Sequence, residues 1–177
     1  MESTEVVRGE TESTADVRAL LQGSVFHVTR RTNWQAIEAS GKLLPNPGGN
    51  LRTTFGFSRN SFFRNRGCVS LFDYRAPATE EITDFRFRCD PLQPAEPGGE
   101  GIAILVLNPS ICGRLISWTK WKEEEAYAEM VVPHVEAGHP GPISLEEVQR
   151  LIFFRRTEDS HSVAAAFRRS YAHPGQG

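Results

Sequence analysis

His27, Glu129 and an arginine from the stretch 52–66 are the side chains whose types could do chemistry together. His27 lies in a short apolar run, Val25-Phe26-His27-Val28-Thr29. A strand carrying His-x-Thr hands a ring nitrogen and a hydroxyl to any cleft it borders. Glu129 lies in Tyr127-Ala128-Glu129-Met130-Val131-Val132-Pro133, which reads as a strand. There Tyr127, Glu129 and Val131 share one face at a period of two, and Ala128, Met130 and Val132 are expected to face the core. A carboxylate can stabilise positive charge developing at a reacting carbon, or take a proton from an attacking group. Between the two, residues 39–72 contain no Asp or Glu, but they hold Lys42, Arg52, Arg59, Arg64 and Arg66 among Phe55, Phe57, Phe62 and Phe63. A local positive field over apolar surface suits an anionic ligand that carries rings, such as a nucleotide. Each group also has a plainer reading: a satisfied histidine at a strand end, a solvent-facing glutamate, a loop whose phenylalanines plug the core.

Other chemistries lack their residues. No Walker loop, no Gly-x-Gly-x-x-Gly after a strand and no Gly-x-Ser-x-Gly elbow occurs. Cys68, Cys89 and Cys112 are odd in number and show no metal spacing, and His134, His139, His161 and His173 form no ligand set, so no metal is expected.

The elements that must position these groups follow in order. Residues 1–13 read as a flexible tail, residues 15–21 as a short helix ended by Gly23, and 25–29 as the first strand. A helix follows, with Thr32 and Gln35 as a capping box, Gly41 as its left-handed cap, and Trp34, Ile37 and Leu44 on one face. Residues 68–74 are expected to be a central strand and 78–100 a surface excursion with a short strand near 85–88. Residues 101–107 read as a strand buried on both faces, and 111–118 as a strand or a short helix. Ser144 opens a helical turn, 148–154 is a last strand, and a terminal helix runs through 164–167.

With 177 residues, 39% hydrophobic and 24% charged, the chain can bury one core. A formal charge of −2 argues against a generic nucleic-acid binder. No apolar run reaches the roughly 20 residues a bilayer span needs. The N-terminus lacks a signal-peptide pattern, so a reduced, cytoplasmic protein with no membrane partner is expected.

The order histidine strand, aromatic strand, glutamate strand resembles the ADP-ribosyltransferase superfamily. Phe26-His27-Val28-Thr29, then Asn33, Ile37 and Gly41-Lys42-Leu43-Leu44, is similar to the start of DarT-type enzymes, which modify DNA bases. Ala128-Glu129-Met130-Val131-Val132-Pro133, followed by Ile143-Ser144-Leu145-Glu146-Glu147-Val148, resembles their glutamate strand and its helical turn. These short blocks cover about a third of the chain.

The resemblance implies an α+β fold, a split mixed β-sheet flanked by short helices in a single domain over 14–173, with 174–177 frayed. It implies NAD as co-substrate and ADP-ribose transfer to a macromolecule, nucleic acid (DNA or RNA) before protein, in a toxin-like enzyme with a possible antitoxin. His27 would donate to a ribose hydroxyl, Val28 and Thr29 would meet the nicotinamide amide, Phe72 or Tyr74 would stack on its ring, and Glu129 would be catalytic. Arg59 would serve phosphates and acceptor, with Arg52, Arg64 and Arg66 as rivals. The segment 68–74 departs from the family's Pro/Tyr-rich middle strand, and Tyr127-x-Glu129 with His27 argues against an arginine acceptor. An RNA 2'-phosphotransferase or NAD glycohydrolase on the same fold is the enzymatic alternative, and a non-catalytic nucleotide-binding module the other.

Overall fold

The computed structural model of the protein describes residues 7–55 and 59–157. Its strands are β1 (Val7–Thr11), β2 (Val25–Arg30), β3 (Lys42–Leu43), β4 (Cys68–Asp73), β5 (Ile102–Leu107), β6 (Ile116–Ser117), β7 (Glu136–Pro140), β8 (Ile143–Ser144) and β9 (Val148–Phe154). Its helices are α1 (Thr14–Leu21), α2 (Trp34–Ser40), α3 (Phe62–Asn65), α4 (Glu80–Arg88) and α5 (Thr119–Glu123).

Seven strands form one sheet in the order β1-β9-β5-β2-β4-β7-β6, and β3 pairs with β8 apart from it. Only β1 runs parallel to its neighbour, so the sheet is mostly antiparallel and the fold mixed α+β. β5 is apolar throughout because both faces of the sheet are covered, and every one of its residues is buried. On one face, Phe26, Val28, Ile102, Ile104 and Ile152 pack under Val17 and Leu21 of α1. On the other, Val25, Leu71, Ala103, Leu105 and Leu151 pack under Trp34 of α2 and Leu43 of β3. Burying each such side chain contributes roughly 1.5–3 kcal/mol. Phe62 and Phe63 of α3 form a third cluster with Cys68, so these two phenylalanines are indeed core plugs.

Local chemistry explains several boundaries. Ser13 caps α1 by accepting from the Asp16 N–H, and Gly41 closes α2 at φ 67°. Ser144 caps the 3-10 turn Leu145–Glu147, as its residue type anticipates.

Four expectations need correction. Residues 7–11 of the expected tail are β1, hydrogen-bonded along β9. The excursion holds helix α4 where a strand was expected; Thr79 caps it, Glu80 and Glu81 sit in its first turn, and Arg86 and Arg88 in its last, all favourable to the helix dipole. Thr32 caps nothing: a 3-10 turn, Arg31–Asn33, runs into α2 without a side-chain cap. Residues 127–131 are not a strand, since they find no ladder partner beyond one bridge from Met130 to Ser61. Ala128 and Met130, expected in the core, are exposed. The expected terminal helix and frayed end lie outside the described residues, as do Phe57 and Ser58.

Candidate active site

The sheet splits where β2 meets β4. These strands pair only at Val25↔Asp73 and Phe26↔Phe72, whereas β2 pairs with β5, and β4 with β7, over five residues each. Beyond Phe26 the ladder is open. A cavity of about 710 Å³ lies there, bordered by His27, Val28 and Thr29 on one strand and by residues 68–72 on the other. That is the size range of small-molecule sites.

Backbone groups released by the split find side chains instead. The Arg30 N–H donates to Thr54 Oγ1 at 3.2 Å, and Thr54 Oγ1 in turn donates to Thr29 Oγ1 at 3.3 Å. Asn33 Nδ2 donates to the same Thr29 oxygen at 3.0 Å. The carbonyl of Ser70 is 3.0 Å from His27 Nδ1. A carbonyl can only accept, so in the neutral ring Nδ1 carries the proton and Nε2 is left as an acceptor. Burial holds the His27 pKa below its ordinary value, against the opposing pull of the Ser70 carbonyl. In that tautomer the free ring nitrogen can accept from a hydroxyl, whereas the resemblance implied a donor.

Phe72 is the middle of the site. Its ring stacks on Phe26 with centroids 5.1 Å apart, meets Phe55 at 5.5 Å, and still borders the cavity. Its cross-strand partner on β7 is Glu136, which also borders the cavity. Glu136 Oε2 accepts the Val132 N–H at 2.7 Å. Burial pushes this carboxyl above the ordinary range, and the Val132 hydrogen bond only partly offsets that. Among the described residues it is the only carboxylate that borders the cavity, beside Lys42, Arg52 and Arg64. Cys89, beside it, is pushed up to about 12, by burial first and then by Glu136 and Asp90. Burial raises Cys68 as well. Both thiols stay protonated near neutrality, which argues against a cysteine nucleophile.

The expected residues divide. His27, Val28, Thr29 and Phe72 come together at the cavity. Tyr74 does not: it is buried edge-on to Phe26 at 5.0 Å with the Arg86 guanidinium 4.2 Å from its ring centroid, a core position closed to ligand. Arg59 is exposed and borders no part of the cavity, while its rivals Arg52 and Arg64 do. The Nε of Arg64 donates to the Asn46 carbonyl at 2.7 Å and so pins the loop that carries Arg52.

Glu129 also lies off the cavity. Its carboxylate accepts from Asn65 Nδ2 at 2.8 Å and Arg66 Nη1 at 2.6 Å. These contacts, the Asn65 hydrogen bond foremost, hold its pKa below the ordinary range. Arg66 also pairs with Glu124 and covers the Phe62 ring at 3.6 Å. Sequence reasoning missed Glu136 because it follows Pro133-His134-Val135 and opens a strand containing Gly138 and ending in Pro140, poor strand composition. The usable signal was position, since Glu136 opens the strand just ahead of the Ile143-Ser144-Leu145 turn.

No family model, no curated protein and no solved structure matches the chain.

Proposed function

We propose that the chain is an NAD-dependent ADP-ribosyltransferase in which Glu136, not Glu129, is the acting carboxylate. One observation carries the reading: histidine, aromatic and glutamate strands are consecutive hydrogen-bonded neighbours, and His27, Phe72 and Glu136 all border the split between them. Backbone groups alternate along β2, so the open ladder leaves the Val28 backbone, on the side of the Arg30 N–H, available to an amide such as that of nicotinamide, while the Thr29 backbone faces β5.

In this reading Phe72 supplies the ring face for nicotinamide, worth about 0.5–1.5 kcal/mol beyond area burial. His27 Nε2 accepts from a ribose hydroxyl. Arg52, and Arg64 through the loop it pins, supply positive charge for the pyrophosphate. Breaking the glycosidic bond builds oxocarbenium character at the ribose carbon, which the Glu136 carboxylate stabilises when ionised. Its raised pKa also makes it a better base toward an incoming hydroxyl or amine. Nucleic acid is the acceptor the cationic mouth favours, and the toxin-like role with an antitoxin rests on the resemblance alone.

The test is nicotinamide release from NAD with DNA, RNA or protein present. Wild-type chain is expected to release it and Glu136→Gln to lose at least a hundredfold, comparable to removing one preorganised stabilising group. Release without a modified acceptor would make the chain a glycohydrolase, and transfer only with 2'-phosphorylated RNA a phosphotransferase. No release by wild-type under any of these conditions would sink the reading and leave a binding module.

A further inference from the structure

Residues 124–132 form a strap along the cavity wall, with Met130, Val131 and Val132 bordering the cavity. The strap is tied to the segment 60–66 at successive points. Met130 N–H donates to the Asn60 carbonyl at 2.8 Å, and Phe62 N–H donates to the Met130 carbonyl at 3.0 Å. Asn60 Nδ2 donates to the Ala128 carbonyl at 2.5 Å, and Trp121 Nε1 to the Glu129 carbonyl at 3.0 Å. Two carboxylates of the strap reach this segment: Glu124 and Glu129 both pair with Arg66, and Glu129 alone also accepts from Asn65 Nδ2. Three residues later the same strap presents the Val132 N–H to Glu136. Two non-glycine residues have positive φ, Glu125 at 51° near the start of the strap and His134 at 60° just beyond its end, conformations that side chains disfavour.

We propose that Glu129 is a positioning residue: its bonds to Arg66 and Asn65 hold the strap so that the Val132 amide fixes the Glu136 carboxylate in the cavity. The proposal rests on the reading of Glu136 as the acting carboxylate, and it gives Glu129 a task that needs no contact with substrate. The amide hydrogen bond engages one oxygen of Glu136, a residue that borders the cavity, and leaves the other free of that bond. Loosening the strap removes the orientation and the one hydrogen bond this carboxyl makes among the described residues, so a rise in the Glu136 pKa is expected. The titratable neighbour across from Glu136 is Cys89, whose thiol stays neutral; the cations bordering the cavity are Lys42, Arg52 and Arg64.

The experiment titrates Glu136 directly by carbon-13 NMR of glutamate-labelled protein, assigned with Glu136→Gln, in wild type, Glu129→Ala and Glu129→Gln. The same variants are followed for nicotinamide release against pH. Glu129→Ala is expected to raise the Glu136 midpoint, to carry the acidic limb of the rate profile upward with it, and to lower kcat by roughly 10–100-fold with KM for NAD little changed, as a misplaced group would. Glu129→Gln keeps the Asn65 bond and loses the ion pair, and is expected to fall between; it serves alone should the alanine variant not fold. A Glu136 midpoint identical in wild type and variant overturns the proposal, whatever the change in Tm. Wild type silent toward NAD would defeat the proposed function, while the midpoint comparison would still decide whether the strap governs Glu136.

Discussion

The carboxyl of Glu136 loses water to its surroundings and gains one amide, while that of Glu129 gains an asparagine amide and a guanidinium. The linkage signs follow. Glu136, raised, contributes stability that is present below 4.5 and lost as pH climbs through its folded value. Glu129, lowered, contributes stability present above 4.5 and lost as pH falls. Glu136→Gln is therefore expected to keep or raise Tm at neutral pH and to flatten the decline of Tm as pH rises from 4.5, readable by thermal unfolding across pH. A loss of several degrees at neutral pH would mean the ionised carboxylate is structural. His27, lowered, binds fewer protons folded than unfolded just below 6.5, so wild-type stability drops as pH falls through that region. His27→Gln should remove that drop and raise the KM for NAD, checked by the same scan and by kinetics.

The split between β2 and β4 is what makes a cavity out of a sheet, and its edges are held by side chains. Thr54 ties the Arg52 loop to β2 through the Arg30 N–H and Thr29. Thr54→Val is expected to cost about 1 kcal/mol and to weaken NAD binding far more than folding, measured by urea denaturation beside binding. Gly138 on β7 lies against the Phe63 ring, where a Cβ would collide. Gly138→Ala should cost about 1–3 kcal/mol through overpacking and displace α3 from the site; an unchanged urea midpoint would contradict that packing. Elements whose residues alone decide them were legible before the fold was known. β2, β4, β5 and β9 are apolar runs bounded by turn residues, and Gly41 closes α2. The errors came where a partner decides. Residues 127–131 alternate at a period of two, yet a strand needs a ladder, and only Met130 finds one contact. β7, with its Gly and Pro, forms because β4 and β6 flank it.

At the scale of the whole molecule, the site is a meeting of distant segments. β2, the 45–55 loop, β4 and the approach to β7 each supply part of it, so no local motif carries it, and the order of residue types was the only trace in the chain. Of the residues that this order singled out, His27 and Phe72 border the cavity and Glu129 does not, whereas Glu136, seven positions later, does (136 against 129). Among the described residues no helix is long and apolar enough to cross a membrane and no cluster suited to a metal occurs. Under the proposed function, binding is expected to stabilise the entire sheet, because both halves of the split border the cavity. NAD at one hundred times its dissociation constant would add about 2.7 kcal/mol, with ATP, lacking nicotinamide for Phe72, expected to add less. The most direct test of the central claim remains nicotinamide release by wild type and Glu136→Gln, assayed side by side with DNA and RNA present. Release by wild type and loss of at least a hundredfold in the folded variant is the predicted result; equal release by both, or none by wild type, would contradict it.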